Sequence, residues 1–389
     1  MRFARFGAGA ALSALLATGA VAQQPVKIGF ITTLSGPAGY IGADIRDAFN
    51  LAVEMEGGKL GGVPVQVMVE DDGLKPGQGK QIADRMLKTD GIKLFSGIVF
   101  SNVAGATVPD ILDAGAIYVS PNAGPSNFAG KDCHKNYFVA SWQNDTLHES
   151  AGQHATNLGY KKAFILAPNY QSGKDALAGF KRFFKGEIVG EIYTRLDQTD
   201  FAPEMAQIRA AKPEMVFHFH PGGLGITFTR QYQQAGLLGT IPLVVAAPGV
   251  DVNIVKALGD SALGIDGTAH WNTDFDNPAN KKFMDAWMKK YNRLPTYYAG
   301  QGYDTALAMG AALKAVNGDL KDTEKFRQAM LKADFDAVRG KFKFGPNQHP
   351  VQDWVSTKVE KGPDGNPVIK TTGKVFTDKG DVYSKDCKL

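Results

Sequence analysis

Val26-Lys27-Ile28-Gly29-Phe30-Ile31, followed by Thr32-Thr33-Leu34-Ser35-Gly36-Pro37, is the stretch that decides the fold. Its first six residues form a largely apolar run of strand length, which the polar residues and the Ser35-Gly36-Pro37 turn bring to an end. Apolar residues then recur at helical spacing over residues 43–55. A buried strand that ends in a glycine-bearing loop and leads into a helix predicts the first unit of a parallel α/β sheet.

Residues 1–22, which precede this strand, have the pattern of a secretory signal. Arg2 and Arg5 form a basic start, residues 7–19 are mostly Ala, Leu and Gly, and Ala20-Val21-Ala22 gives an A-x-A cleavage site. We therefore expect residues 1–22 to be removed on export and the mature chain to lie in the periplasm. No later stretch approaches the roughly 18 apolar residues of a membrane span, so we expect no membrane insertion of the mature chain.

Strand and helix patterns alternate along the rest of the chain in two consecutive series. The first series extends to a strand at 116–119, and the second begins after residues 137–142. A strongly helical portion then covers 279–332, and a β-rich tail covers 340–374. The predicted fold class is α/β with two doubly wound sheets, in which ligands bind outside the carboxyl ends of the strands.

The composition and the motif content exclude several classes of function. The 43 basic residues nearly balance the 39 acidic ones, and no basic stripe is interleaved with aromatic residues, so we expect no nucleic-acid partner. The motifs G-x-S-x-G, H-E-x-x-H and G-x-x-x-x-G-K-[ST] are all missing from the sequence. His218 and His220 alternate on one face of a strand, but no third ligand stands at a useful spacing. We predict no enzymatic activity, no cofactor and no metal.

The two cysteines, Cys133 and Cys387, have neither the C-x-x-C spacing of redox sites nor the spacing of metal ligands. In an oxidising compartment two cysteines often pair, so we predict a disulfide that ties the C-terminal tail to the first half of the chain. Two independent thiols are the alternative.

The loops that follow the predicted strands divide into two chemical kinds. In the first series, strands end in Ser35-Gly36-Pro37, Ser101-Asn102 and Asn122-Ala123-Gly124, which offer hydroxyl groups, amides and free backbone N–H groups. In the second series, the corresponding loops contain Asn169-Tyr170, His218-Phe219-His220-Pro221, Pro248-Gly249 and His270-Trp271. We predict a cleft between a hydrogen-bonding rim and an aromatic rim.

With these residues the chain resembles the type I periplasmic solute-binding proteins of ABC transporters, specifically the branched-chain amino-acid-binding (Leu/Ile/Val-binding) family. The segments that carry the resemblance are Ile28-Gly29-Phe30, Leu34-Ser35-Gly36-Pro37, Val69-Glu70-Asp71-Asp72, Gly97 to Asn102, Tyr118-Val119-Ser120-Pro121, Tyr137-Phe138 and Gly300-Gln301-Gly302-Tyr303-Asp304.

The resemblance implies two Rossmann-like lobes joined by a hinge of three crossovers. The first lobe would hold residues 25–142 and 272–347, and the second would hold 143–271 and 348–389. Such proteins close around one ligand by hinge motion and deliver it to an ABC-type permease. The resemblance also implies a monomer.

Two loops of the first lobe match the family's carboxylate-binding positions. Ser101 matches a serine that the family offers to a ligand carboxylate. Asn122-Ala123-Gly124 matches the second carboxylate-binding loop, although it lacks the hydroxyl that amino-acid binders usually have there.

Other matched positions cover the ligand. Tyr40 or Ile41 matches the loop side chain that lies over it, and Tyr170 and Ser172 stand where an aromatic residue of the second lobe closes the pocket.

One departure from the family pattern concerns the ligand's amino group. Amino-acid binders usually carry an acid in a loop that here reads Ala246-Ala247-Pro248-Gly249-Val250, with no acid before Asp251. A buried ammonium without a partner costs on the order of several kcal/mol, which disfavours an α-amino acid unless Asp251 reaches the pocket.

Aromatic rings stand at or near the predicted rim instead, namely Phe100, Trp142, Tyr170, Phe219, Trp271 and Tyr303. The chain is also similar to the subgroup that binds benzoate-like and phenylpropanoid acids, in which Asn-Tyr-x-x-Gly occurs, here Asn169 to Gly173. The preferred prediction is therefore a small aromatic carboxylate.

Alternatives remain open at this point. Phe100 and Phe219 are equally compatible with core packing, Trp142 with the crossover and His270 with a hinge role. The protein as a whole is also compatible with amino-acid binding, or with presenting its ligand to a membrane receptor. The predicted ligand-binding residues are Ser35, Tyr40, Ile41, Phe100, Ser101, Asn102, Asn122, Ala123, Gly124, Trp142, Tyr170, Ser172, Phe219, His220, Pro248, His270, Trp271 and Tyr303.

Overall fold

The computed structural model describes residues 24–389, so the predicted signal at residues 1–22 lies outside the described residues. The strands are β1 (Val26–Thr32), β2 (Lys59–Leu60), β3 (Val63–Asp71), β4 (Leu94–Ser96), β5 (Ile117–Ser120), β6 (Tyr137–Val139), β7 (Lys162–Pro168), β8 (Glu187–Thr194), β9 (Met215–His218), β10 (Val244–Ala246), β11 (Asp266–Ala269), β12 (Phe342–Phe344), β13 (Pro350–Lys361) and β14 (Pro367–Lys379). The helices are α1 (Gly39–Met55), α2 (Pro76–Lys88), α3 (Ser101–Asp113), α4 (Asn144–Asn157), α5 (Gln171–Phe183), α6 (Ala202–Ala211), α7 (Gly223–Gln234), α8 (Val252–Leu258), α9 (Pro278–Tyr291), α10 (Tyr297–Ala315) and α11 (Thr323–Leu331).

The first sheet has the strand order β2-β3-β1-β4-β5-β6 and is parallel except for the short β2. Phe30 of β1 pairs with Val69 on one side and with Ser96 on the other. Phe30 and Ile31 are both fully buried, as a strand covered on both faces requires. The apolar run at residues 26–31 thus forms a central strand of the first lobe.

The second sheet is parallel on one side and antiparallel on the other. Parallel strands β8-β7-β9 form one part, and a bridge between Val216 and Leu243 leads to β10-β11-β13-β12. Strand β13 is antiparallel to β11, β12 and β14, so the tail of the chain completes this sheet.

The chain passes from the first lobe to the second after β6, returns after β11, and passes back after α11. Helix α10 packs on α1 of the first lobe, where a side chain at Gly302 would meet the Ile45 carbonyl oxygen at 2.2 Å. The predicted α/β fold with two lobes and three crossovers is confirmed. Strand β12 lies in the range expected for the first lobe, but it pairs with β13 of the second sheet.

Buried contacts hold the crossovers together. The Arg339 guanidinium donates to Asp304 Oδ2 at 2.8 Å, and to the Ser141 carbonyl oxygen and Gln352 Oε1 at 2.9 Å each. The His270 ring lies 5.3 Å from Trp142 and 5.7 Å from Trp354, measured between ring centroids. Segments from all three crossovers therefore meet in one packed hinge.

The C-terminal tail contacts both lobes. A disulfide joins Cys133 to Cys387, with the two Cα atoms 5.7 Å apart. Tyr383, in the same tail, donates its hydroxyl to Asp145 of α4 at 2.9 Å. Between residues 24 and 389, none of the helices has the length and apolar character needed to cross a bilayer.

Candidate functional site

The carboxyl ends of the two sheets face each other across a cleft, and a cavity lies between them. The loops after β4 and β5 supply one wall, and the loops after β7, β9 and β10 supply the other. Predicted residues that line the cavity are Ile41, Phe100, Asn122, Ala123, Trp142, Tyr170, Ser172, Phe219 and Pro248. The remaining lining residues are Val99, Asn144, Leu147, His148, Pro221 and Tyr298.

Hydroxyl groups from the two lobes meet at one side of this cavity. Ser101 Oγ and Ser172 Oγ lie 2.5 Å apart, and the side-chain amide of Asn144 donates to them at 3.2 and 3.0 Å. Ser101 begins α3, Ser172 lies in the first turn of α5, and Asn144 begins α4. Neither α3 nor α5 has a side-chain cap within the described chain. Three helix N-termini therefore point their positive ends at one place, which favours an anion.

Asp175 fixes the position of Asn144. Its Oδ2 accepts from Asn144 at 3.0 Å and from the Ser126 backbone, and its Oδ1 accepts from the Ser126 hydroxyl at 2.7 Å. Burial raises the pKa of Asp175, while these donors act in the opposite direction. The carboxylate is occupied by the protein itself and does not line the cavity.

The loop after β5 is held by its own hydrogen bonds. Asn122 donates to the Val99 carbonyl oxygen at 2.7 Å, and the Ser120 hydroxyl donates to the Ala123 carbonyl oxygen at 2.6 Å. The Gly124 N–H donates to Asn144 Oδ1 at 3.2 Å, and a Cβ at Gly124 would lie 2.1 Å from the Trp142 carbonyl oxygen. Gly124 thus orients Asn144 without lining the cavity.

Aromatic rings form the other walls. Tyr170 stacks on Phe219 with 6.3 Å between centroids and 15° between planes, and Phe100 lies 6.4 Å from Tyr170. Trp142 contacts Tyr298 at 6.3 Å. Phe100 and Phe219 are buried, and both face the cavity. Flat apolar walls of this kind suit a planar ligand ring.

No acidic side chain of residues 24–389 lines the cavity. Asp251 is the first acid after the loop at 246–250. Its carboxylate caps α8 by accepting from the backbone N–H groups of Asn253 and Ile254 at 2.8 and 2.9 Å. Burial raises the pKa of Asp251 to about 6, although the Tyr40 hydroxyl, 2.5 Å from its Oδ2, acts to lower it.

The contact between Tyr40 and Asp251 crosses the cleft, since α1 and the loop before α8 belong to different lobes. A second such contact is the hydrogen bond from the Gly223 N–H to the Pro37 carbonyl oxygen at 3.1 Å. The structure is therefore the closed form of the two lobes.

Several predicted residues lie near the cavity without lining it. Ser101 is directly behind the lining, bonded to Ser172, and Asn102 follows it in α3. Ser35 borders a separate groove at the outer rim of the cleft. His270 lies behind Trp142, and both of its ring nitrogens are buried without a partner among the described residues.

The structure does not bring three other predicted residues to the cavity. His220 packs in the second lobe, where its Nε2 lies 3.1 Å from Thr194 Oγ1. The Trp271 indole donates to Asn280 at 2.8 Å, and the Tyr303 hydroxyl contacts the Met55 sulfur at 3.7 Å. Each ring is buried because it fills packing space in its own lobe or at the hinge.

The lining residues that the sequence analysis missed lie mainly within helices or just after strands. Asn144, Leu147 and His148 follow the i, i+3, i+4 spacing of one helical face, a pattern visible in the sequence. A loop after a strand can be recognised from the sequence, whereas the start of α4 follows a crossover and has no strand directly before it that would mark it as part of a site.

Among residues 24–389, His148 is the one titratable imidazole that lines the cavity. Burial lowers the pKa of His148 to about 3, so the ring is neutral at physiological pH. His218 and His220 lie elsewhere, with their Nδ1 atoms 3.4 Å apart. Within residues 24–389, no group of three or more His, Cys, Asp or Glu side chains is arranged to hold a metal ion.

The sequence profile of one protein family matches residues 25–365, and that family is described as periplasmic binding protein. The chain belongs to the periplasmic binding protein family. This periplasmic binding protein is 28% identical to Leu/Ile/Val-binding protein homolog 6 of Brucella melitensis, over 94% of its own length and 95% of the relative's.

Two solved structures are similar to it throughout. A solute-binding protein of an ABC transporter from R. palustris, in complex with benzoate, is 29% identical with a TM-score of 0.88, and the match covers 94% of this chain and 100% of that one. A second R. palustris solute-binding protein, in complex with 4-hydroxybenzoate, is 26% identical with a TM-score of 0.85, over 92% and 99% of the two chains.

Membership of this family places the protein among solute-binding proteins, so the prediction that it is not an enzyme is confirmed. The family also implies a periplasmic location.

Proposed function

We propose that this protein captures a small aromatic carboxylate between its lobes and delivers it to an ABC-type permease. One observation carries the proposal. The cavity between the lobes has hydroxyl and amide donors at three helix N-termini on one side, and stacked aromatic rings on the others.

The donor side supports a carboxylate. Ser101, Ser172 and Asn144 offer neutral donors, and the helix N-termini supply partial positive charge without any lysine or arginine in the described lining. An anion held in this way keeps its hydrogen bonds when water is excluded. The benzoate and 4-hydroxybenzoate complexes of the two R. palustris proteins support the same ligand class.

The lack of a lining acid supports an aromatic acid over an α-amino acid. The Asp251 carboxylate already accepts from Tyr40 and from the first turn of α8, so a ligand ammonium would have to displace these contacts. A benzene ring needs no such partner and gains from the rings of Tyr170 and Phe219.

An amino-acid ligand is the second candidate, and the names of the Brucella relatives favour it. A ligand-sensing role that partners a membrane receptor would use the same closed lobes. Genes beside this one for a permease and an ATPase would support uptake, and a gene for a histidine kinase would support sensing.

Two further proposals complete this function. Residues 1–22 act as a cleaved signal for export to the periplasm, which agrees with a chain that forms a disulfide. The lobes comprise residues 25–142 with 272–347 and residues 143–271 with 348–389, apart from β12, which pairs with the second sheet.

The decisive experiment is a thermal-shift screen of residues 23–389, refolded to remove any co-purified ligand, with calorimetry on each hit. The panel contains benzoates, hydroxycinnamates, phenylacetates, leucine-like and polar amino acids, and short amides. A ligand at about 100 times its Kd stabilises the folded state by about 2.7 kcal/mol. Stabilisation by aromatic acids alone is expected. Stabilisation by leucine-like amino acids alone would replace the proposed ligand class with the second candidate.

A further inference from the structure

Helix α4 runs along the cavity and presents one face to it. Asn144, Leu147 and His148 all line the cavity, at positions i, i+3 and i+4 of this helix. Asn144 belongs to the donor side, where it contacts the hydroxyls of Ser101 and Ser172. His148 lies one turn further, about 6 Å along the helix axis. The carboxyl carbon of a benzoate and the substituent opposite it on the ring are about as far apart. A ligand that lies parallel to α4 would therefore place its carboxylate beside Asn144 and the opposite substituent beside His148.

His148 has a polar group that the protein leaves unused. The residue is 2% exposed, and its Nδ1 atom is buried with no hydrogen-bond partner among the described residues. The rings of Phe219 and Phe217 pack against the imidazole at 4.8 and 5.6 Å, and a phenyl ring offers no conventional hydrogen-bonding group. Buried polar groups in folded proteins normally have a partner. Other buried imidazoles of the described residues, such as His218 and His270, also have an unpartnered nitrogen, but among them only His148 lines the cavity, so a bound ligand is the partner available to it.

We infer that His148 binds a hydroxyl group on the ring of the ligand, so that the preferred ligand is a hydroxylated aromatic acid. This inference rests on the proposed function, with the carboxylate at Asn144 and the ring beside Leu147. A neutral imidazole has one donor and one acceptor nitrogen, and a phenolic hydroxyl both donates and accepts. The hydroxyl can therefore form a hydrogen bond with either tautomer of His148.

The rest of the lining supports a neutral substituent. Among the described residues no Asp, Glu, Lys or Arg side chain lines the cavity, so a second carboxylate or an ammonium on the ring would be buried without a charged partner. Burial lowers the pKa of His148 to about 3, so its imidazole is uncharged at physiological pH. An uncharged imidazole gives no electrostatic preference for an ionised phenolate over a neutral phenol.

Calorimetry with 4-hydroxybenzoate and 4-fluorobenzoate tests this role, because fluorine has nearly the size of a hydroxyl but lacks its proton. We expect the wild-type protein to bind the hydroxylated acid about 10-fold more tightly or better, the effect of one buried hydrogen bond. In His148→Phe the ratio of the two Kd values is expected to fall to near one. If that variant does not fold, His148→Leu provides the same comparison.

His218→Phe is the matched control, since it also removes a buried neutral imidazole but lies outside the cavity lining. It is expected to keep the wild-type ratio. Equal binding of the two acids by the wild type, or an unchanged ratio in His148→Phe, would overturn the role of His148 and leave the proposed function intact. Failure of the wild type to bind any aromatic acid of the thermal-shift panel would overturn both.

Discussion

Ser101 and Ser172 form the most informative pair of side chains, because they come from different lobes and their oxygens are 2.5 Å apart. Only one of the two hydroxyls donates in that contact, so the proton of the other is available to a further acceptor. A ligand carboxylate placed here would accept that proton and complete a set of contacts that only the closed lobes provide.

Ser101→Ala is expected to weaken binding of benzoate-type acids by about 1–3 kcal/mol, because a charged acceptor loses a donor in a site closed to water. Isothermal titration calorimetry measures the change. Ser384→Ala, in the tail, is the control and should leave the affinity as it is. An affinity unchanged in Ser101→Ala would remove Ser101 from the carboxylate site.

A second residue-level prediction concerns acid stability. Burial lowers the pKa of His218 to about 3, below its value near 6.5 in the unfolded chain. The unfolded state therefore binds more protons between these values, and the stability that neutral His218 contributes is lost as pH falls from about 6.5 towards 3.

Between pH 7 and pH 5, this residue should lower the free energy of unfolding by about 2 kcal/mol. Urea denaturation of His218→Phe at both pH values should therefore show a loss smaller by that amount than in the wild type. Parallel losses in the two proteins would mean that His218 titrates normally.

The sequence led to Phe100, Asn122, Tyr170 and Ser172 because each follows a strand, and strand ends in α/β sheets meet ligands. His148 and Tyr298 lie within helices, where periodicity indicates burial but does not separate burial in a core from burial beside a cavity. The same ambiguity allowed Trp271 and Tyr303 to be included, although they pack elsewhere.

At the scale of elements, the site depends on how closely helices approach the strand ends. Gly173 lies in the first turn of α5, and a Cβ there would be 1.8 Å from the Pro168 carbonyl oxygen at the end of β7. A side chain at residue 173 would therefore push the start of α5 away from β7, and with it Ser172, which contacts Ser101.

Gly173→Ala is expected to lower the free energy of unfolding by about 1–3 kcal/mol, the range for overpacking, and to weaken ligand binding by displacing Ser172. Gly105→Ala in α3 is the matched control. A Cβ at Gly105 meets nothing within 4 Å, so this change should stabilise the protein by about 0.5–1 kcal/mol. Thermal and urea denaturation measure both, and equal stability of the two variants would contradict the close approach.

Helix and strand positions were largely predictable because their apolar patterns are local. The strongly helical portion predicted at 279–332, for example, corresponds to α9, α10 and α11. The pairing of the strands was harder to predict from the sequence. That β12 joins the second sheet depends on its contact with β13 across the third crossover, which no local pattern encodes.

At the scale of the whole molecule, the hinge is rigid at its centre. Arg339 and Asp304 are both buried, and they join α10 to the first crossover through Ser141. Breaking one partner of such a pair leaves an uncompensated buried charge, so lobe motion must leave this cluster intact. We therefore expect lobe opening to break the contacts at the cleft, between Tyr40 and Asp251 and between Pro37 and Gly223.

Removing the disulfide with the double change Cys133→Ser and Cys387→Ser should lower the free energy of unfolding by about 2–5 kcal/mol, because the unfolded chain gains freedom over a long loop. Urea denaturation measures this loss. The wild type in a reducing agent should behave like the double variant. Thiol titration of the unreduced, denatured wild type should find no free thiol, and two free thiols per chain would refute the bond.

The same bond has a consequence for how the protein is made. The sequence holds only two cysteines, and 254 positions separate them. Within one molecule no incorrect pairing exists, so oxidation of a single chain has one product. The only competing reaction joins Cys133 or Cys387 to a neighbouring molecule, and its rate rises with concentration whereas ring closure does not. Oxidative refolding should therefore give disulfide-linked dimers at high protein concentration and monomers at low protein concentration.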